Sequence, residues 1–291
     1  LAATTASFNL SKSNEALRKS LGRLSSGKRI TSPADDAGGL AVALKLASKT
    51  NRTSAVIQNV QNAISYMQVQ DSSLQTVGKI LDRMAELRTM AQDVTKNTGD
   101  IENYSKEFVE LQSQLKQIKN ETFNGISLFS AGTANVANDP TLNAETGVLT
   151  ASINGTAINT FDRYGRTLYT HPGGQTDDGS ISINVTNLEY VLEIGTLSSD
   201  SSPYWDPDGI GTPAKNINLG DVQSDQALPV GGGGLPLIGG PDGINSDGFI
   251  ESIMAVSIGQ FTAAIERLAD VRAENGAEQN RAMQVTDMLQ S

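Results

Sequence analysis

The sequence predicts an α+β fold: an elongated antiparallel helical rod, or coiled-coil bundle, formed by the N- and C-terminal segments and carrying an inserted β-rich domain. Residues 33–96 show one long helical pattern with a narrow apolar stripe, and helical periodicity returns after residue 249. Between them, residues 126–248 hold 19 of the 28 glycines and eight of the nine prolines, which excludes long helices. We therefore expect helical segments at residues 1–129 and 249–291, and a variable β-rich insert at residues 130–248.

Residues 1–30 are expected to form a helix with some breaks. Its leucines on one face are Leu10, Leu17, Leu21 and Leu24. Gly27 then allows the chain to turn. Ser32 is the expected N-cap of the long helix and Pro33 suits its first position.

The long helix is expected to run from Pro33 to about Lys96. Its apolar stripe consists of Ile57, Val60, Ile64, Met67, Leu74 and Leu81. Asp71 and Gly78 fall on the same stripe and weaken it. Residues 97–99, Asn-Thr-Gly, are expected to end the helix as a left-handed C-cap.

A second helix is expected from Asp100 to about Asn120, antiparallel to the first because the connection is short. Its stripe contains Phe108, Leu111, Leu115 and Ile118. Asn124 and Gly125 then predict a tight turn.

Within the insert, alternation of apolar and polar residues predicts strands at residues 147–153, 180–185 and 189–197. Asn154-Gly155 and Asp178-Gly179 are expected hairpin turns, and the run from Gly231 to Gly234 is expected to be a loop. From Phe249 the chain is expected to be helical again. The last stripe contains Phe261, Ala264, Leu268, Val271, Ala282, Val285 and Leu289, with Asn275 and Glu278 as polar interruptions.

Three sequence runs resemble bacterial flagellins. Residues 23–27 read Arg-Leu-Ser-Ser-Gly, a basic-isoleucine-polar bridge follows, and residues 35–37 read Asp-Asp-Ala. Residues 123–125 read Phe-Asn-Gly, and residues 276–281 read Gly-Ala-Glu-Gln-Asn-Arg. The resemblance covers about residues 10–129 and 249–291. It implies a structural subunit of the flagellar filament, located outside the cell on the flagellum or cell surface, with other flagellin subunits as partners.

The resemblance also implies which residues pack between subunits. These are Arg23, Leu24, Ser26, Arg29, Asp35, Asp36, Asn280 and Arg281. Family members carry further terminal segments, so this chain is expected to be truncated at both termini and, without those segments, to be a monomer. In the family, a Toll-like innate receptor recognises an exposed patch on the long helix. The matching positions are Arg83, Leu87 and Glu110, and recognition is expected to be weakened by differences at Asp82, Arg88 and Met90.

The charge distribution motivates an alternative function. The net charge of −10 argues against a nucleic-acid partner, yet residues 1–52 hold nine Lys or Arg against three Asp or Glu. The cations that could bind an acidic polysaccharide are Lys12, Arg18, Lys19, Arg23, Lys28 and Arg29. The same cations serve equally as partners of carboxylates between subunits or as a solvated surface. A cell-surface polysaccharide-binding protein and a hook-filament junction protein therefore stand as alternatives to the filament subunit.

Enzyme chemistry is not expected. His171 is the only histidine, there is no cysteine, and no phosphate-binding loop occurs. Asp206, Asp208 and Gly209 form only part of a calcium loop, so we expect no catalytic, cofactor or metal residues. Tyr204 and Trp205 could stack on a sugar, or lie in the core of the insert. No run of about 20 apolar residues is present, so no membrane span is expected.

Overall fold

The computed structural model describes residues 2–130, 142–153, 156–177, 179–195, 198–199, 202–203, 217–220 and 249–290. Contacts divide the chain into two compact units, residues 1–56 and residues 57–291. The boundary falls within a 55-residue helix. No helix in the described part of the chain combines the length and apolar character needed to cross a bilayer.

The first unit contains helix α1 (Ala2–Ser26) and the beginning of α2 (Ala37–Ala91). The expected breaks in α1 are absent. Helix α1 ends before Gly27, whose φ of +66° suits glycine at a helix C-terminus. Helix α2 begins later than Pro33 because residues 32–35 form a turn, closed by a 3.0 Å hydrogen bond from the Asp35 N–H to the Ser32 carbonyl. Asp36 is the N-cap: its Oδ1 accepts from the Gly39 N–H at 2.8 Å.

In the second unit, α2 ends at Ala91 and α3 spans Thr98–Lys119. The interpretation of residues 97–99 as a C-cap of α2 is wrong. Asn97 is instead the N-cap of α3, where its Oδ1 accepts from the Asp100 N–H at 2.9 Å. The Asp100 carboxylate accepts from the Asn97 N–H at 3.1 Å, which completes a capping box. The capping box therefore assigns Asn97 to the start of the second helix.

A tight hairpin follows α3. Strands β1 (Thr122–Phe123) and β2 (Ile126–Ser127) pair antiparallel across Asn124 and Gly125. Positive φ angles of 51° at Asn124 and 78° at Gly125 show why these two residue types occupy the turn. The turn predicted from this dipeptide is confirmed.

The insert contains a three-stranded antiparallel sheet in the order β3-β4-β5. Its strands are β3 (Asn143–Ile153), β4 (Thr156–Tyr169) and β5 (Ser180–Val185). Sequence patterning identified β3 and β5 but missed β4. The expected turn residues Asn154, Gly155 and Asp178 lie outside the described residues, as do Gly231–Gly234 and residues 206–209.

The strand expected at residues 189–197 is wrong over its first half. A short helix, α4 (Leu188–Leu192), occupies it, because Oδ1 of Asn187 accepts from the N–H groups of Glu189 (3.0 Å) and Tyr190 (3.3 Å). Two short strand pairs follow. Strand β6 (Glu193–Gly195) pairs with β9 (Ile217–Asn218), and β7 (Ser198–Ser199) pairs with β8 (Ser202–Pro203).

The C-terminal helix, α5 (Ile258–Gln290), begins nine residues after Phe249. The preceding segment contains a 3₁₀ turn at Ile253–Ala255 and docks onto α3. Gln112 of α3, fully buried, donates to the Ile250 carbonyl at 2.8 Å and accepts from the Ile250 N–H at 2.9 Å. This pair of hydrogen bonds holds the segment extended, which explains why the helix starts late.

Helix α5 runs antiparallel to α2 within the second unit. Arg272 pairs with Asp71 at 2.9 Å, and the side chain of Asn275 donates to Gln70 at 2.6 Å. Buried apolar residues of both helices lie on either side of these polar contacts. Residues of the expected stripes that are fully buried or nearly so are Val60, Met67, Leu74, Leu81, Phe108, Leu115, Ile118, Phe261, Ala264, Leu268, Val271 and Ala282. The predicted pairing of helices from the two ends of the chain is therefore observed within residues 57–291.

Gly78 of α2 lies directly against Leu268 of α5. A Cβ added at Gly78 would stand 3.2 Å from Cδ2 of Leu268, whereas a Cβ at Gly276 on α5 would meet nothing within 4 Å. We expect Gly276→Ala to raise the unfolding free energy by about 0.5–1 kcal/mol through helix propensity. In Gly78→Ala the contact with Leu268 should cancel that gain. Thermal unfolding of both variants measures the difference, and equal stabilisation would show that Gly78 is not needed for close approach.

The Gln112 contact gives a second prediction. Gln112→Ala leaves the N–H and carbonyl of Ile250 without partners, so we expect a loss of about 2–4 kcal/mol in unfolding free energy. Gln114→Ala, at an exposed position on the same helix, should change it by less than about 0.5 kcal/mol. Chemical denaturation of the two variants tests this, and similar small losses in both would contradict a docking role for Gln112.

Candidate functional site

The apolar face of α1 is exposed. Along this 25-residue helix every large apolar side chain is more than half accessible: Phe8 70%, Leu10 66%, Leu17 59%, Leu21 55% and Leu24 80%. Early in α2, Val42, Leu44 and Leu46 are similarly exposed. A row of leucines on one helical face is normally buried against another element, so this surface is unusual for an isolated chain. We call the face formed by Leu10, Leu17, Leu21 and Leu24 the α1 leucine face.

A small charged cluster lies between α1 and α2. The carboxylate of Asp35, only 6% exposed, pairs with the ammonium group of Lys19 and, at 3.6 Å, with the Arg23 guanidinium. Thr31 donates its N–H and hydroxyl to the same carboxylate at 3.3 and 3.1 Å. The hydrogen bond from Lys19 is the main cause that lowers the pKa of Asp35 to about 2. Asp35 thus stays ionised at any physiological pH and ties the bridge residues to α1.

Most residues expected to pack between subunits fall in this region. Arg23, Asp35 and Asp36 make the contacts described above, and Leu24 belongs to the α1 leucine face. The Ser26 hydroxyl donates to the Arg23 carbonyl at 3.3 Å, and Arg29 is exposed. Asn280 and Arg281 are exposed on α5. These positions remain predictions as subunit contacts.

The six cations expected to bind a polyanion are not equally available. Lys19 and Arg23 already pair with Asp35. Within the described ranges, no ion pair involves the other four, Lys12, Arg18, Lys28 and Arg29, and all four are exposed. The available positive charge is therefore smaller than the sequence indicates.

The receptor-like patch differs from the exposed surface that the resemblance implies. Leu87 is fully buried, because it faces the helical core. Arg83 pairs with Glu107 at 2.7 Å and with Glu86 at 3.1 Å, and Glu110 is exposed. Arg88, one of the differences expected to weaken recognition, turns inward and donates to the Val256 carbonyl at 2.6 Å. Of the three matching positions, Leu87 is therefore not accessible at the surface together with Arg83 and Glu110.

Several other candidate sites can be placed briefly. His171 lies in an exposed turn, where its Nδ1 accepts from the Gly173 N–H at 3.0 Å. Among the described residues, no group of three or more His, Cys, Asp or Glu side chains could hold a metal ion. Tyr204 and Trp205 lie outside the described residues, so sugar stacking there remains a prediction.

Sequence reasoning missed the junction between α5 and the β3-β4-β5 sheet. Arg163 of β4 donates to both carboxylate oxygens of Glu274 at 2.5 Å, and Asn184 of β5 donates its side-chain amide to Glu274 at 3.0 Å. The Asn184 N–H donates to Glu278 at 2.9 Å. Glu278 was noticed only as a polar interruption of the last stripe. Its position on the apolar stripe of this helix is the one available signal.

A second missed contact is Arg267 of α5, which is 5% exposed. Its guanidinium donates to the main-chain carbonyls of Ser152 at 3.1 Å and Val191 at 3.3 Å, and also to that of Glu193. It lies 5.9 Å from the centre of the Tyr190 ring. Burial lowers the pKa of Arg267, but these carbonyls and the ring still favour its charged form. Arg267 thus joins the C-terminal helix to the insert through backbone atoms, which sequence patterns do not reveal.

Comparison with known proteins shows similarity to bacterial flagellins. Residues 1–134 match the model of the bacterial flagellin N-terminal helical region. A flagellin of Listeria innocua is 33% identical over 136 residues, which are 46% of this chain and 47% of the relative. Flagellin 1 of Proteus mirabilis is 33% identical over 123 residues, 42% of this chain and 34% of the relative. The chain thus spans half or less of the length of these relatives.

One relative aligns along almost the whole chain. The flagellar filament 41 kDa core protein of Borreliella burgdorferi is 27% identical over 290 residues, 97% of this chain and 81% of the relative. A crystal structure of Bacillus cereus flagellin is 18% identical, with a TM-score of 0.42, and covers 79% of this chain and 88% of that one. That structural likeness adds nothing to the assignment, which rests on the sequence matches. The N-terminal match spans α1, α2 and α3, and this part of the chain is therefore similar to the N-terminal helical region of bacterial flagellins.

Proposed function

We propose that this chain is a structural subunit of an extracellular bacterial flagellar filament and not an enzyme. The observation that carries the proposal is the exposed α1 leucine face. A subunit that functions alone gains nothing from leaving these side chains in water, whereas a subunit that polymerises can bury them against a neighbouring copy. The match of residues 1–134 to the flagellin N-terminal helical region and the similarity to the filament core protein of Borreliella burgdorferi support the same function.

The energetics favour such burial. Moving a leucine side chain fully out of water contributes roughly 1.5–3 kcal/mol. The four leucines of the α1 leucine face are between 55% and 80% exposed, so their complete burial would contribute on the order of 5 kcal/mol per subunit. In a polymer each subunit gains this free energy, which offsets part of the entropy that the subunit loses on association.

The uneven distribution of charge along the sequence favours one orientation of neighbouring subunits. Residues 1–52 carry nine Lys or Arg against three Asp or Glu, while residues 126–248 carry three against fourteen. Opposite charges at different places on one chain favour ordered rather than random association of copies. The exposed cations Lys12, Arg18 and Arg29 lie on or next to α1, so they can meet carboxylates of a neighbour.

We further propose the domain roles that the sequence predicts: residues 1–129 and 249–291 build the helical part of the subunit, and residues 130–248 form an outward domain. Helix α5 contacts both α2 and the sheet, which favours a helical part that carries the insert. An innate receptor, an acidic polysaccharide and a role at the hook-filament junction remain predictions. No contact in the described part of the chain favours them over the filament subunit.

The proposal predicts that assembly depends on the α1 leucine face. Replacing Leu17 and Leu21 together with glutamine keeps helix propensity but makes the face polar. We expect at least a tenfold loss of filament mass, measured by sedimentation and negative-stain electron microscopy of the full-length protein. Val94→Gln is the matched control, since Val94 is 99% exposed in the connection between α2 and α3.

Helix content, measured by circular dichroism, should stay unchanged in both variants. Normal filaments from the Leu17→Gln, Leu21→Gln protein would contradict a packing role for this face. Loss of filaments in the Val94→Gln control alone would place the contact surface elsewhere.

A further inference from the structure

The junction between α5 and the β3-β4-β5 sheet holds an unbalanced set of charges. Three carboxylates meet there: Glu145 from β3, and Glu274 and Glu278 from α5. Arg163 from β4 is the one cation among the described groups that act on Glu278. Strand β5 contributes Asn184 and Ser182, which are uncharged, and the Ser182 hydroxyl donates to Glu145. With every carboxylate ionised, the junction carries two uncompensated negative charges.

The one cation of this cluster, Arg163, already pairs with Glu274. Arg163 donates to both oxygens of Glu274 at 2.5 Å, and this contact raises the pKa of Arg163. Glu278 lies one helical turn further along α5. Among the described residues it forms no ion pair, and the Asn184 N–H, at 2.9 Å, is its one hydrogen-bond donor. Glu278 is half-buried between the helix and the sheet. Its ionised form is therefore poorly compensated where it stands.

We propose that this junction is a pH-sensitive latch, in which protonated Glu278 lets the sheet dock firmly on α5 and ionised Glu278 loosens it. The inference concerns only contacts within residues 57–291, and it goes beyond the proposed role in filament assembly. When Glu278 is protonated, one charge leaves the cluster and the Asn184 N–H still has an oxygen acceptor. When Glu278 ionises, it faces Glu145 and Glu274 across a partly dry contact.

The direction of the pH effect follows from the titration of Glu278. Burial raises its pKa from the ordinary 4.5 to about 7, and the charges of Glu145 and Glu274 act in the same direction. The Asn184 N–H and Arg163 oppose the shift without cancelling it. A raised carboxyl pKa stabilises the docked state fully below about pH 4.5, and that contribution is lost as the pH rises through about 7. The latch thus holds in mildly acidic surroundings and weakens in alkaline ones.

Hydrogen exchange of the intact protein tests the latch. Amides of β4 and β5 should lose about tenfold in protection between pH 6 and pH 8, after correction for the intrinsic exchange rate. A tenfold loss corresponds to a pKa difference of about one unit between the docked and undocked states. This is smaller than the full pKa shift of Glu278, because solvent screens a partly exposed carboxyl group. In Glu278→Gln, which mimics the protonated carboxyl, protection should stay constant over this range. Glu266→Gln, at an exposed site on the same helix, should behave like the unaltered protein.

Unchanged pH dependence in Glu278→Gln would overturn the proposal. A second measurement does not depend on the folding of a variant: the side-chain carboxyl carbon of Glu278 can be followed by NMR in the unaltered protein. A midpoint near 7 supports the latch, and a midpoint below about 5.5 overturns it. In Glu145→Gln the midpoint should fall, because one like charge has left the cluster.

Discussion

The structure of residues 57–291 depends on the burial of apolar stripes from distant parts of the sequence against one another. Met67, Leu74 and Leu81 of α2 are fully covered, and Leu268 and Val271 of α5 are almost so. Each stripe is narrow, so none of these helices could hide its apolar side chains alone. The hydrophobic term that drives this burial is non-directional, and it does not by itself choose a register between long helices. Polar contacts within the stripes must do so.

The polar interruptions of the stripes are these contacts. Asp71 and Asn275 look like weak points when each stripe is considered alone, yet Asp71 pairs with Arg272 and Asn275 pairs with Gln70. The second pair is buried, and a shift of one helical turn would leave its amide groups without partners. Gly78 acts by a different means, since its missing side chain admits Leu268. Polar or small residues in a coiled-coil stripe commonly specify register at some cost in stability.

The sequence predicted those parts of the structure that depend on local periodicity. The stripes of α2, α3 and α5 follow from spacing alone, and the turn at Asn124 and Gly125 follows from the conformations those residues permit. Prediction failed where hydrogen bonds between a side chain and the backbone decide the local structure. Gln112 holds residues 249–252 out of the helix, and Asn187 caps a short helix where alternation indicated a strand. The junction of Arg163, Glu274 and Glu278 was missed because its members are far apart in sequence.

The same kind of stripe has opposite fates in the two units. Leu74 and Leu81 share one face of α2 and are covered. Leu17 and Leu21 share one face of α1 and are more than half exposed. Periodicity reports only that a helix has an apolar side; it does not report whether that side is covered within the same chain. An isolated helix of 25 residues gains little stability from propensity and depends on packing of its apolar side. Helix α1 therefore requires a partner surface, and the proposed filament would supply it as another copy of the same chain.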